Sequence, residues 1–213
     1  MCAKKNSGKK LTMVLVAIIL VLCCTIGGTL AWLVDTTNPV TNTFTVGKVE
    51  ITLTESPLQD NGEYGQPAEG TKNAYPLVPG KTYQKDPTVA VDTSSEDCWL
   101  FVKFEETVDA DKYIQYTSTL TTANGWYQGD GTDIPANVWY REVKKGADVH
   151  SWNLLADNKI QIKTSVTADN MAAAAAASLQ WTAYAVQSAN DTATFSPEQA
   201  WDIALDGTLT TNP

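Results

Sequence analysis

The chain has 213 residues, 15 Lys and Arg against 24 Asp and Glu, a formal net charge of −9, one histidine and four cysteines. That length fills one substantial core, and the acidic balance excludes a surface that holds nucleic acid or anionic lipid by charge. With His150 alone in "DVHSW", the paired-histidine motifs of zinc hydrolases, such as H-E-x-x-H, are missing.

The first element is a leader. Lys4, Lys5, Lys9 and Lys10 precede an uncharged run from Leu11 to Val34, and the first acid is Asp35. A basic start followed by an apolar stretch is the layout of an export signal, and Thr29-Leu30-Ala31 carries the small-x-small pattern of a cleavage site. Residues 1–31 are therefore expected to be a signal peptide, with Thr29, Ala31 and Trp32 flanking the cut. An uncharged stretch of about 20 residues also has the length of a transmembrane helix, so retention as an anchor stays open. In either case the remainder lies outside the cell, and this segment is the sole expected membrane contact. Leu22 before Cys23 is too large for a lipobox.

Cleavage removes four lysines and no acid, taking the net charge from −9 to −13. Cys2, Cys23 and Cys24 leave with the leader, so Cys98 has no internal partner and stability must come from packing. Within "DCWLFVKF", Cys98 reads as a buried, inert thiol.

Residues 32–43 form a linking segment rich in Thr and Asn, and residues 44–213 read as a single β-domain. In "FTVGKVEITL", Phe44 and Val46 are followed by Val49, Ile51 and Leu53, a phase slip at Gly47 that points to a bulge. "SPLQDNGEYGQPAEG" (Ser56 to Gly70) reads as a surface loop. "YPLVPG" then turns the chain into "TYQKDPTVAVD", whose Val89 and Val91 alternate as a half-buried strand. "CWLFVKFEE" is apolar on both faces from Trp99 to Phe104, as in a central strand covered twice. Further strands are predicted at "GWYQ" (Gly125 to Gln128), "VWYREV" (Val138 to Val143), "KIQIKTSV" (Lys159 to Val166) and "LQWTAYAVQ" (Leu179 to Gln187).

Two short helices complete the pattern. "MAAAAAA" (Met171 to Ala177) follows Asp169-Asn170, which can cap its first amides. "SPEQAWDIAL" has Ser196 as N-cap, Pro197 at the first helical position and Glu198 in the first turn, with Trp201 and Leu205 expected to share the buried face. The fold class is thus all-β, an antiparallel sandwich with one or two short helices, preceded by the signal or transmembrane helix.

No catalytic constellation emerges: there is no glycine-rich phosphate loop and no G-x-S-x-G elbow. Asp109 with Asp111 and Asp130 with Asp133 lack full calcium-loop spacing and read as solvated turns. Paired carboxylates for glycoside hydrolysis stay open, since such pairs meet in space rather than in sequence. Seven Trp and eight Tyr form either core or a sugar-stacking face, and most alternate within strands, which favours core. No metal, cofactor or catalytic residue is predicted, and the chain is not expected to be an enzyme.

The stretch "GGTLAWLVDTTNPVTNTFTVGKVEITL" (Gly27 to Leu53) resembles the amino-terminal signature of the TasA/camelysin family, exported through a SipW-type signal peptidase. It has Gly-Gly-Thr before the cut, an Asp soon after, then Asn-Thr-Phe and hydrophobic alternation. "LVPGK" (Leu77 to Lys81), "WLFVKFEE", "VWYREV" and "AYAVQ" (Ala183 to Gln187), followed by a helix carrying Ala200-Trp201, extend the resemblance over most of the chain. The resemblance implies a jelly-roll sandwich that forms extracellular fibres in the biofilm matrix of Gram-positive bacteria. Assembly is by donor-strand complementation, with other copies of the chain joined head to tail and other matrix components as further partners.

Leu33, Val34, Val40 and Phe44 are the expected apolar anchors of the donor strand, released for pairing when the leader is cut. Pro39 divides that strand into two pieces. Two alternatives stand beside this. The segment is the domain's own edge strand or a loose terminus, or the protein is a cell-surface binding module for polysaccharide or host protein. The family name also carries a metallopeptidase activity, for which this sequence has no zinc-ligand set.

Overall fold

Alternating β-branched and aromatic residues set the strands. The computed structural model describes residues 49–107, 109–190 and 193–206. Ten strands run in the order β1 (Ile51–Thr54), β2 (Thr82–Gln84), β3 (Thr88–Val91), β4 (Cys98–Glu106), β5 (Ile114–Gln115), β6 (Tyr127–Gln128), β7 (Val138–Val143), β8 (Ser151–Asn153), β9 (Lys159–Ile162) and β10 (Leu179–Gln187). Among the described residues three α-helices accompany them: α1 (Ala110–Tyr113), α2 (Met171–Ala175) and α3 (Pro197–Asp206). The fold is all-β, with short helices at its margins.

Among the described residues every strand pair is antiparallel. The largest sheet has the order β10-β4-β7-β6, and two three-stranded sheets have the orders β1-β3-β8 and β2-β9-β5. β4 and β10 pair along their full length, from Leu179 opposite Glu106 to Gln187 opposite Cys98.

The burial of β4 explains its sequence. Cys98, Leu100 and Val102 point into the main core with Leu53, Val89, Ile160, Ile162 and Trp181. Phe101 points the other way, into a second core with Val138, Val186, Phe195, Ala200 and Trp201. One face of the large sheet thus meets the other strands, and α3 covers the opposite face. The two-sided apolar run from Trp99 to Phe104 is the sequence trace of that double cover.

α3 begins with a capping box. Ser196 Oγ accepts the Gln199 N–H at 3.3 Å, and Gln199 Oε1 accepts the Ser196 N–H at 3.0 Å. Trp99 Nε1 donates to the Phe195 carbonyl at 2.9 Å, tying the approach to α3 onto β4. The helix departs from expectation at its end: Trp201 is 2% exposed but Leu205 is 46% exposed. The buried stripe runs through Ala200 and Trp201, with Ile203 and Ala204 packed beside it, and Leu205 lies past it. At α2 the expected side-chain cap is absent. Asn170 turns back instead, its Oδ1 accepting the Thr167 N–H at 2.8 Å and its Nδ2 donating to the Ser165 carbonyl at 2.9 Å.

Candidate functional site

Sheet edges are the first candidate. A strand at an edge presents unpaired N–H and C=O groups, and soluble proteins usually blunt such edges by shortness, lysine or proline. Among the described residues, β6 ends the large sheet as a two-residue strand, whereas β10 ends it on the other side with nine residues. Among the described residues β10 pairs on one side only, with β4, and its sequence LQWTAYAVQ has no charge, proline or glycine. β1 likewise pairs only with β3 among the described residues, and it packs close to β10. A cavity of about 190 Å³ opens between the end of β1 (Leu53 to Glu55) and the start of β10 (Leu179 to Trp181).

A polar cluster lines that cavity. Lys85 Nζ donates to both oxygens of Glu55 at 3.0 Å, and the two side chains are 9% and 10% exposed. Asn73 Nδ2 donates to the same Glu55 Oε1 at 2.5 Å, to the Ser56 carbonyl at 3.0 Å and to the Tyr75 hydroxyl at 3.1 Å. The Tyr75 hydroxyl lies 3.0 Å from Glu55 Oε1. Burial, then the adjoining Glu55 charge, drives the phenol well above its usual range, so Tyr75 stays protonated. The Lys85 ammonium also sits over the Trp181 and Tyr75 rings, at 5.2 and 5.6 Å from their centroids. Nothing in the local sequence marks this cluster, because Glu55 follows β1, Asn73 lies in the stretch before β2, and Lys85 lies between β2 and β3.

The remaining sequence candidates are dispersed. Asp130 Oδ1 accepts the amides of Thr132 and Asp133, at 2.8 and 3.1 Å, which hold its carboxyl below the usual range and close a turn. Asp109 pairs with Lys112 at 2.9 Å. Among the described residues no group of three or more His, Cys, Asp or Glu could hold a metal ion, and no helix is long and apolar enough to cross a membrane. Trp126 is buried against Trp152, with the Arg141 guanidinium over both rings at 5.2 and 4.5 Å. Trp99, Tyr127, Tyr140, Arg141 and Glu142 border an open hollow of about 420 Å³, in which Tyr127 is 59% exposed.

Cys98 is fully buried, and that burial, followed by the charge of Asp97, pushes its thiol up to about 12. A chain that begins at Trp32, in which Cys98 is the one cysteine, is expected to leave an aromatic disulfide reagent unconsumed at neutral pH when folded and to consume one equivalent after denaturation. Rapid native reaction of Cys98 would contradict its placement.

Thr29, Ala31 and Trp32 of the expected cleavage site, Leu33, Val34, Val40 and Phe44 of the expected donor segment, and Gly47 of the expected bulge lie outside the described residues. No protein-family model, curated protein or solved structure matches the chain.

Proposed function

We propose that the chain is a secreted structural subunit of extracellular matrix or cell-surface fibres, a jelly-roll sandwich of the TasA/camelysin kind without catalysis. The observation that carries this reading is the long, charge-free outer edge of β10. An extended peptide adding to such an edge gains main-chain hydrogen bonds while alternate side chains fill pockets. Cutting after Ala31 releases a segment with Leu33, Val34, Val40 and Phe44 at its apolar positions. Each subunit then gives one strand and receives another, so the contact is head to tail and extends as a filament.

Electron microscopy of the purified mature chain tests this. Filaments are expected from the chain beginning at Trp32 and none after deletion of residues 32–43. The double substitution Gln180→Lys with Gln187→Lys places charge at both ends of β10 and is expected to abolish filaments while the monomer keeps its circular dichroism. Filaments that survive both changes would overturn the reading.

A second reading, a tethered binding module, is favoured by one feature, the aromatic hollow around Tyr127 and Tyr140. A monomer that binds glycans, and loses binding with Tyr127→Ala, would support it.

A further inference from the structure

At the β1–β10 cavity a nucleophile, Lys85 Nζ, and an electrophile, the Asn73 carboxamide, each lie within hydrogen-bond distance of one proton carrier, Glu55. We propose that Lys85 and Asn73 join in an intramolecular amide (isopeptide) cross-link, formed with Glu55 as the catalytic acid and base. This site does not depend on the fibre reading.

Three observations converge. First, the amine and the carboxamide share one carboxylate oxygen: Glu55 Oε1 accepts from Lys85 Nζ at 3.0 Å and from Asn73 Nδ2 at 2.5 Å, so the reacting groups are neighbours. Second, the orientation of Asn73 suits acyl transfer. Its Oδ1 accepts the Leu58 backbone N–H at 2.6 Å, which fixes that atom as the oxygen and places a donor where negative charge develops during attack. Its Nδ2, the leaving nitrogen, faces the carboxyl group that can protonate it. Third, the nucleophile and the proton carrier are enclosed. Lys85 and Glu55 are nine-tenths or more enclosed by side-chain area, and the rings of Tyr75 and Trp181 lie against the Lys85 nitrogen.

The reaction begins when Glu55, whose two oxygens each accept from Lys85 Nζ at 3.0 Å, takes one proton from that nitrogen, leaving an amine with a free lone pair and a protonated carboxyl group. The Nζ lone pair then forms a bond to Cγ of Asn73, and the carbonyl π electrons move onto Oδ1. When the tetrahedral centre collapses, the Cγ–Nδ2 bond breaks as Glu55 protonates Nδ2. Glu55 next removes the surplus proton from Nζ and passes it to the departing ammonia. The products are a secondary amide and one ammonium ion, with Glu55 restored as a carboxylate. No oxidant or external co-reactant enters. The cavity bordered by Glu55, Asn73 and Lys85 offers the ammonium ion a way out.

The link would close the segment from Asn73 to Lys85, which includes β2, and would fix the rim of the cavity beside the start of β10. A covalent closure there restricts the unfolded chain, as a disulfide does, in a protein whose one described cysteine is free.

Mass spectrometry of the intact, purified wild-type chain is the test, followed by peptide sequencing after digestion. The expected result is a mass lower than the sequence mass by one ammonia, with Asn73 and Lys85 recovered in one branched peptide. Glu55→Gln is expected to show the unreduced mass in whatever fraction is folded, and Asn73→Ser the same. A wild-type chain at its full sequence mass, with both residues in separate linear peptides, would overturn the proposal. So would an ammonia loss confined to Asn73 without Lys85 in the same peptide, which marks a succinimide. Because the wild-type mass decides the matter, poor folding of a variant leaves the test intact, and the result is independent of whether filaments form.

Discussion

Trp201→Ala is expected to destabilise the domain by about 3–5 kcal/mol, the usual cost of truncating a buried large aromatic residue. Trp201 is 2% exposed, with its ring 5.2 Å from Phe101 and 5.3 Å edge-on to Tyr184. It is the largest side chain by which α3 seals the outer face of β4 and β10. Its loss leaves a cavity against Phe101, which has no exposed surface of its own. Urea unfolding followed by fluorescence and circular dichroism measures the change, with Leu205→Ala as a matched control on the same helix. Leu205 is 46% exposed, so its truncation is expected to stay within about 0.5 kcal/mol. Equal effects at the two positions would contradict the placement of the helix.

Gly129→Ala is expected to be comparably damaging for a steric reason. A Cβ built at Gly129 would lie 2.3 Å from the Pro135 carbonyl oxygen and 2.5 Å from that of Ile134, closer than real Cβ contacts approach. The obstacles are backbone atoms, so no rotamer change relieves them. The Gly129 N–H donates to the Val138 carbonyl at 2.8 Å, and the following turn closes from the Gly131 N–H to the Ile134 carbonyl at 2.9 Å. Moving the main chain to admit a methyl group therefore disturbs the β6–β7 connection and the Asp130 turn together. A loss of about 1–3 kcal/mol or more is expected, as for overpacking generally. Gly129→Ala with wild-type unfolding behaviour would show that this close approach does not exist.

The strands that were legible in the sequence are those long enough to show their burial pattern. β4, β7 and β10 coincide with "CWLFVKFEE", "VWYREV" and "LQWTAYAVQ", because six to nine residues display either alternation or a two-sided apolar run. β5 and β8, of two and three residues, are too short to carry a period, and their pairing with β9 and β3 is set by tertiary contact. In "TYQKDPTVAVD" the alternation of Val89 and Val91 marks β3, whereas the three residues of β2 carry no such signal, and Lys85 between the two strands turns inward to Glu55. Leu205 was misplaced because spacing of four gives a shared helix face but not how far the contact surface extends. The Glu55–Asn73–Lys85 cluster is illegible in the sequence because its members come from three separate segments that meet only in the folded chain. Residues 1–48, with the expected leader and donor segment, lie outside the described residues.

The central claim is that the segment freed by leader cleavage pairs with the outer edge of β10 on another molecule. Hydrogen exchange tests it most directly, using a chain that lacks residues 1–43 with and without an added peptide of residues 32–44. The account predicts slowed exchange at the amides of Leu179–Gln187 when the peptide is present, and none when the peptide carries charged residues at Leu33, Val34, Val40 and Phe44. Unchanged exchange along β10, or protection elsewhere alone, would contradict it.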